Sequence, residues 1–451
     1  MNVTIIGTGY VGLTTGTALA YLGHRVTCVD KQERVVEALG RGEPTIHEAG
    51  LAELLQAVSG SISFRTDIPP LAGTGVVMIA VGTPSKENGD ADMRYVDAAA
   101  KDVADLIQEG ARLVVVNKST VPVGSARHVE GIIKRCLEAR GVTAAVHVAS
   151  NPEFLAEGKA VHDTFYPDRI VIGAEDPFAV GLLRELYQPI LEQTFDPPPG
   201  TPRPERYELP PLITTSATSA ELTKYAANAF LATKISFINE FSQLAEMVGA
   251  DITEVARAIG LDQRIGPRFL HAGIGWGGSC FGKDTAAVLA LAASYDYTMP
   301  IVRSAIEVNR RQRQFIVEKL QHHLKVLRGT TIGLLGLAFK GNTDDLRDSP
   351  ALTLIEQLAD RGAIVKVYDP VAMDNARRLH PDLPVEYCRD PECLAVGCDA
   401  LVLVTDWPQF RQLDLAALKR RMRGTLLLDA RNYLQPHAVR AAGLDYVGVG
   451  R

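Results

Sequence analysis

Long apolar runs are missing from this chain. Stretches such as Val76–Val81 have the length of a strand, and none approaches the roughly 20 residues that a membrane-crossing helix needs. Positive charge is not in excess: 47 Lys and Arg stand against 53 Asp and Glu, a net charge of −6. That excludes a general attraction to nucleic acid or to an anionic membrane, so any phosphate must be held locally. Metal-ligand spacing is absent too. Cys388, Cys393 and Cys398 are separated by four residues each, which is not a zinc pattern, and no histidines stand in reach as partners; no metal is expected. The first residues show no charged segment followed by an apolar one, and a strand pattern begins at Val3, so no secretory signal is expected. Six cysteines without such a signal fit a reduced, cytoplasmic protein.

What is present is an ordinary globular composition, 46% hydrophobic and 22% charged, in a chain of 451 residues. That length suggests two to four domains at about 100–200 residues each. In the first section, short β-rich runs at Val3–Ile6, Arg25–Val29, Val76–Val81, Leu113–Val116, Val146–Ala149 and Arg169–Ile172 alternate with amphipathic patterns such as Val96–Gln108 and Arg127–Arg140. This alternation predicts βαβ units and a mostly parallel sheet. Seven prolines then fall within Phe195–Leu212, which excludes a helix interior or a central strand and predicts an extended, exposed connection. A long helix is expected next, started by a Thr218-x-x-Glu221 capping box and stopped at Gly249. At about 30 residues it would span roughly 45 Å. From about Arg328 the alternation restarts, with strands at Thr331–Leu335, Ile364–Tyr368, Ala400–Val404 and Thr425–Asp429 and a helix at Ala351–Arg361. The expected fold is α/β, with two Rossmann-like doubly wound domains (1–212 and 321–451) joined by a central helical domain (213–320) built on the long helix.

Gly7-Thr8-Gly9-Tyr10-Val11-Gly12 follows the first strand and opens a helical pattern, and the next strand ends in Asp30, 18 residues beyond Gly12. That is the context a dinucleotide fingerprint requires. Gly7 permits a tight turn, Gly9 lets the backbone approach a pyrophosphate, and Gly12 allows the helix to pack closely on the strand. Asp30 can accept from a ribose 2′-hydroxyl and would repel a 2′-phosphate, which favours NAD over NADP, although Lys31 beside it pulls the other way. Thr83 and Pro84 close the third strand pattern and Thr120 follows the fourth, where ligands of doubly wound sheets bind; ordinary turn chemistry explains Thr83 equally well.

Gly273-Ile274-Gly275-Trp276-Gly277-Gly278-Ser279-Cys280-Phe281-Gly282-Lys283-Asp284 holds five glycines in ten residues, so its backbone must come very close to something. Lys283 near Cys280 favours a nucleophilic thiolate; a buried structural thiol is the other reading. Cys28, inside a strand, belongs to the core. Lys224 and Asn228 share a helix face, either as a solvated face or as an ammonium and an amide aimed at a developing oxyanion. Glu153 and Glu157, in Asn151–Gly158, supply two carboxylates just after a strand, as acid–base groups or as helix-start charges.

Taken together, GTGYVG (7–12), VGTP (81–84), KSTVPVG (118–124), NPEFLAEG (151–158), ELTKYAANAFLATKISFINE (221–240), RIGPRFLHAGIGWGGSCFGKD (264–284) and GLAFKGNTDDLRDSP (336–350) resemble the UDP-glucose/GDP-mannose dehydrogenase family over nearly the whole chain. The resemblance implies an NAD-dependent enzyme that oxidises a primary alcohol of a sugar nucleotide to a carboxylate in two hydride transfers. It implies Cys280 as the nucleophile, holding a thiohemiacetal and then a thioester, and Lys224 with Asn228 stabilising the reacting oxygen. Asp284 and Thr120 would manage the water, and Glu153 and Glu157 would belong to the acid–base and substrate-positioning set. Phe154 and Leu155 would hold the sugar nucleotide, Phe269, Gly277 and Phe339 would line its pocket, and Lys340 and Arg431 would pair with its diphosphate. Gly7, Gly9, Tyr10, Val11, Gly12, Asp30 and Lys31 would hold the cofactor, with Thr83, Pro84, Thr120, Glu157, Lys283 and Arg347 closing around it. Arg264 would reach the substrate of a neighbouring subunit in a homodimer formed through the long helix. Gly282 stands where many relatives have proline, which loosens the loop without removing a reactive group.

Among substrates UDP-glucose ranks first, a UDP-N-acetylhexosamine second and GDP-mannose third. The second α/β section has Gly333-Leu334-Leu335-Gly336 in place of G-x-G-x-x-G, which suits a UDP site better than a second dinucleotide site. Two other classes stand beside this reading. One is a catalytically silent nucleotide-sugar binder, against which Cys280, Lys224, Asn228 and Asp284 together argue; the other is a β-hydroxyacid dehydrogenase, which needs no cysteine.

Overall fold

The computed structural model describes residues 1–451. The chain forms two compact units, Met1–Ala226 and Ala227–Arg451.

The first unit is built on β1 (Asn2–Ile6), β2 (Arg25–Val29), β3 (Ile62–Arg65), β4 (Thr74–Ile79), β5 (Arg112–Asn117), β6 (Ala145–Ser150), β7 (Ile170–Gly173) and β8 (Leu212–Thr215). They lie in the order β3-β2-β1-β4-β5-β6-β7-β8. All neighbours run parallel except β6 and β7, which meet antiparallel at Ser150 and Gly173. Successive side chains of a strand point to opposite faces. Val76, Met78, Val114 and Val116 therefore join a core with Leu13, Leu19 and Phe165. Val77, Ile79, Leu113 and Val115 join another with Val96, Val103 and Ile133. Both faces are covered, which is why these strands read as near-continuous apolar runs.

One expectation gains detail and one needs correction. The proline-rich connection is mostly exposed, but it is anchored: Tyr166 Oη donates to Thr201 O at 3.1 Å and Tyr207 Oη donates to Pro167 O at 2.8 Å. It ends by entering the sheet as β8, which pairs with β7. Prolines lack a donor but keep their carbonyls, and Pro211 O accepts from Ile170 N at 3.0 Å. The long helix is present as Ala217–Val248, 32 residues, but the expected capping box is not. Ser216 starts the helix, its hydroxyl accepting from Ser219 N at 3.2 Å. Glu221 instead accepts from Gly124 N at 2.6 Å, Ala126 N at 2.9 Å and Ser150 Oγ at 2.8 Å. The carboxylate thus caps the neighbouring helix Ser125–Arg140 rather than its own. Gly249 closes the long helix with φ 75°, as expected.

The second unit contains β9 (Thr331–Leu335), β10 (Ile364–Tyr368), β11 (Val385–Tyr387), β12 (Ala400–Leu403), β13 (Leu426–Asp429) and β14 (Asp445–Val447). Their order, β11-β10-β9-β12-β13-β14, repeats that of the first six strands of the other sheet. The central strands are buried with Leu354, Leu358 and Trp407 in one core. Helices Ile252–Gly260, Phe281–Ala293 and Pro300–Leu324 precede this sheet in the chain.

Candidate active site

The first unit places a nucleotide-sized turn beyond β1. Gly7 adopts φ 99°, and a Cβ there would lie 2.7 Å from Ala80 O. A Cβ at Gly12 would lie 1.9 Å from Gly7 O, so the helix Tyr10–Tyr21 can sit on the turn only because Gly12 has none. Gly9 is different: a Cβ would meet nothing within 4 Å. The backbone is open there, beside the N-terminus of a helix, and this fits the pyrophosphate of a dinucleotide. Asp30 accepts from Thr8 N at 3.1 Å, Thr8 Oγ1 at 2.7 Å and Gln32 N at 3.0 Å, so it braces the turn. Lys31 pairs with Asp102 at 2.9 Å in solvent, which draws its charge away from the Asp30 carboxylate. Thr83 is buried and its hydroxyl donates to Thr120 O at 2.8 Å, tying the loop after β4 to the loop after β5; Pro84 is exposed.

In the same unit Lys224 and Glu153 are both buried and form an ion pair at 2.8 Å. Glu153 also accepts from Leu155 N at 2.6 Å. Burial alone would raise the Glu153 carboxyl, but the Lys224 ammonium, the hydrogen bonds from Lys224 and Leu155 and the nearby Lys118 together hold it below the usual carboxylate range. The Phe154 ring lies 5.6 Å from Lys224 Nζ and 3.6 Å from the Arg169 guanidinium. Glu157 is half-buried in the same loop. Sequence reasoning passed over two neighbours. Glu48 is buried and accepts from Gly158 N and Ala160 N at 2.7 Å each, closing the loop that carries Glu153. Lys118 is also buried, with its ammonium on Asn151 Oδ1, and the signal for it was its place at a strand's carboxyl end.

In the second unit Cys280 occupies the N-cap of helix Phe281–Ala293, at the positive end of the helix dipole. Ser279 Oγ lies 3.5 Å from Cys280 Sγ. One turn on, Asp284 is 1% exposed. It accepts from Asn228 Nδ2 at 2.5 Å and from Lys283 Nζ at 2.6 Å. Lys283 is thus engaged with Asp284, where the spacing had suggested the thiol as its partner.

The glycines before Cys280 are explained by what crowds them. A Cβ at Gly273 would meet Ala430 O at 2.7 Å, at Gly275 Asn309 Oδ1 at 2.4 Å, at Gly277 Asp348 O at 2.2 Å, and at Gly278 the Phe339 ring at 2.7 Å. The segment is pinned through its backbone by Asn239, Asn309, Gln312 and Arg313. Gly278, two residues before Cys280, therefore packs on the Phe339 ring, and Gly277 packs on the Asp348 backbone. Phe269 adopts φ 65°, rare for a bulky residue and a sign of local strain, with its ring 6.4 Å from Phe281. Arg431 donates to Val404 O at 2.7 Å, Gly275 O at 3.1 Å and Phe339 O at 2.8 Å, using three of its N–H groups to hold the site and leaving two for an anion. Lys340 lies 5.4 Å from the Phe339 ring. Arg264 pairs with Asp262 and its side chain is 89% exposed, and Arg347 pairs with Asp345. No group of three or more His, Cys, Asp or Glu side chains is placed to hold a metal, and no helix is long and apolar enough to cross a membrane.

A dinucleotide turn on one doubly wound sheet, a buried lysine–glutamate pair and a thiol at a helix start define the class: a nucleotide-dependent oxidoreductase with a cysteine available for covalent work. The comparisons give the family. Residues 1–191 match the NAD binding domain of the UDP-glucose/GDP-mannose dehydrogenase family, residues 218–311 its central domain and residues 333–436 its UDP binding domain. The chain belongs to that family. It is 45% identical to a UDP-glucose 6-dehydrogenase of Rhizobium meliloti, covering 100% of both chains. It is 42% identical to one of Bacillus subtilis over 100% of this chain and 93% of the other. A solved UDP-glucose dehydrogenase of Pyrobaculum islandicum is similar with a TM-score of 0.85 and 39% identity, covering 100% of this chain and 97% of that one.

Proposed function

We propose that this chain oxidises UDP-glucose to UDP-glucuronate with NAD, in the cytoplasm, through a thiohemiacetal and then a thioester on Cys280. The observation that carries the reading is Cys280 at the start of a helix whose Asp284 is clamped by Asn228 and Lys283. The relatives named UDP-glucose 6-dehydrogenase, 37–45% identical over the full chain, support the substrate. The solved UDP-D-ManNAc dehydrogenase of Pyrococcus horikoshii is more distant at 27% identity. None of the six cysteines forms a disulfide, which fits a reducing compartment.

NAD, when bound at the open turn around Gly9, accepts one hydride in each of the two oxidations. The chain's residues do the rest. An aldehyde has no hydroxyl at the carbon that must lose the second hydride, so a nucleophile has to add first. The Cys280 thiolate adds to the aldehyde carbon, and the resulting oxyanion takes a proton. Loss of that proton and of a hydride leaves the thioester. Water positioned by Asp284 and Thr120 then adds to the acyl carbon and expels the thiolate, giving the carboxylate. Lys224 stabilises the negative charge on the reacting oxygen, with Asn228 as a second donor. Glu153 and Glu157 receive and return protons, and Arg264 acts from a neighbouring subunit. Lys340 and the free N–H groups of Arg431 hold the diphosphate.

The functional division follows as 1–212 for NAD, 213–320 for dimerisation and 321–451 for the UDP moiety. The long helix leaves Phe230, Phe237, Phe241, Leu244 and Val248 exposed at helical spacing, and a second copy of the chain would cover this stripe. Limiting UDP-glucose with excess NAD is the test. Two NADH per sugar are expected, and Cys280→Ser should abolish turnover while cofactor affinity stays nearly unchanged. No NADH from UDP-glucose, or full activity in the serine variant, would sink the reading.

A further inference from the structure

Lys118 follows β5 directly, and its ammonium is buried, where a lone charge is costly. Its Nζ donates to Asn151 Oδ1 at 3.0 Å. The same oxygen accepts from Tyr187 Oη at 2.6 Å, and Asn151 Nδ2 donates to Val171 O at 2.7 Å, so the amide is fixed and cannot flip. The Tyr187 ring centroid lies 5.9 Å from Lys118 Nζ. This chain of buried polar groups runs behind the Glu153–Lys224 pair, with Asn151 only two residues before Glu153.

We propose that Lys118 is a positioning residue that keeps Glu153 ionised and fixed while Lys224 turns its ammonium to the reacting oxygen. The role rests on the reaction proposed above. A buried pair left with one partner exposes an uncompensated charge, which is strongly unfavourable. If Lys224 leaves Glu153 for the substrate, the carboxylate keeps the Leu155 amide and the field of a second ammonium, that of Lys118. The two lysines therefore divide the work: one interacts with substrate, the other supports the carboxylate between them. Burial lowers the Lys118 ammonium to about 8, with Glu153 opposing that shift and Lys224 adding to it, so the three groups are electrostatically linked. The other groups facing the pair are Arg169, over the Phe154 ring with Asp168 beside it, and the Tyr187 phenol, which burial keeps protonated.

Lys118→Gln keeps a donor for Asn151 and removes the charge; Lys118→Arg keeps the charge. The full-length variants are compared with wild type in pH profiles of kcat and kcat/KM for UDP-glucose, in NAD affinity and in melting temperature. Loss of a neighbouring cation makes Glu153 harder to ionise, so the acid limb should move upward in Lys118→Gln by about one pH unit. kcat on the acid limb should fall by up to about tenfold while kcat at neutral pH changes by less than about twofold, NAD affinity should change by less than about twofold, and Lys118→Arg should return the limb toward the wild-type position. An unmoved limb in Lys118→Gln, or a limb in Lys118→Arg displaced as far as in the glutamine variant, overturns the proposal. If Lys118→Gln fails to melt as a native protein, the arginine variant alone decides: a retained limb supports the role and a displaced one removes it. Wild-type NADH yield is measured alongside, so a wrong reaction shows in the wild type and a wrong role for Lys118 shows only in the variants.

Discussion

The two α/β halves share one strand order, yet their first turns do opposite things. Gly7 and Gly336 match: each follows the first strand of its sheet with a left-handed φ, 99° and 108°. After that they part. The first turn opens at Gly9 and goes straight into a helix at Tyr10. The second has Ala338 at the corresponding step, and its next helix waits until Pro350. The carboxylates that end the second strands differ as well. Asp30 is half-buried, and its carboxylate accepts from Thr8 in its own turn and from Gln32. Asp369 is 1% exposed and accepts from Leu337 N, Ala338 N, Val371 N, Ala372 N and Trp407 Nε1. A dinucleotide turn keeps its acidic residue available to a ribose; the second half has spent that residue on folding. Topology supplies the crevice, and a few side chains decide which nucleotide fits it.

The comparison breaks most easily at the saturated carboxylate. Asp369→Ala leaves four amides and an indole N–H without their acceptor, and each buried unpaired donor costs about 1–3 kcal/mol. Chemical denaturation should show a loss of at least about 3 kcal/mol, whereas Asp30→Ala should cost less than about 1 kcal/mol. Equal losses would mean that the two carboxylates do the same job.

The fold was legible because covered sheets write themselves as apolar runs at fixed spacing: β9 and β10 match the expected strands residue for residue. Four strands were not foreseen. β3, β8, β11 and β14 are short edge strands, and β3 alternates half-buried with exposed residues, so little apolar signal marks them. Among the site residues, the glycines around Cys280 announced close approach but not by what. Their neighbours, Asn309 and Asp348 among them, are remote in sequence. Glu221 misled for a related reason. Its spacing from Thr218 satisfies a local rule, but a partner nearly a hundred residues away offers two unsatisfied helix-start amides. Lys118 carried no motif chemistry of its own, and only the fold brings it to Asn151.

The open turn can be tested by closing it. Gly9→Ala adds a methyl where the protein offers no obstruction, so the melting temperature should stay within a degree or two. The methyl would stand where a pyrophosphate approaches, and NAD affinity should fall at least about tenfold, near 1.4 kcal/mol. Calorimetric titration with NAD checks this. Unchanged affinity would show that the cofactor lies elsewhere, and a large drop in melting temperature would show that Gly9 serves the turn as Gly12 does.

Asp30 gives the smallest effect and the finest distinction. In Asp30→Ala the 2′-hydroxyl of a ribose loses an acceptor and a 2′-phosphate loses a repulsion, so the ratio of kcat/KM for NAD over NADP should fall about tenfold. Part of any loss could come from the turn, because the same carboxylate holds Thr8 through its amide and hydroxyl. Thr8→Val removes that hydroxyl bond while leaving the carboxylate, and it should lower affinity for both cofactors alike without changing their ratio. If both variants shift the ratio equally, Asp30 acts by shaping the turn; if neither does, selection between the cofactors lies outside this strand end.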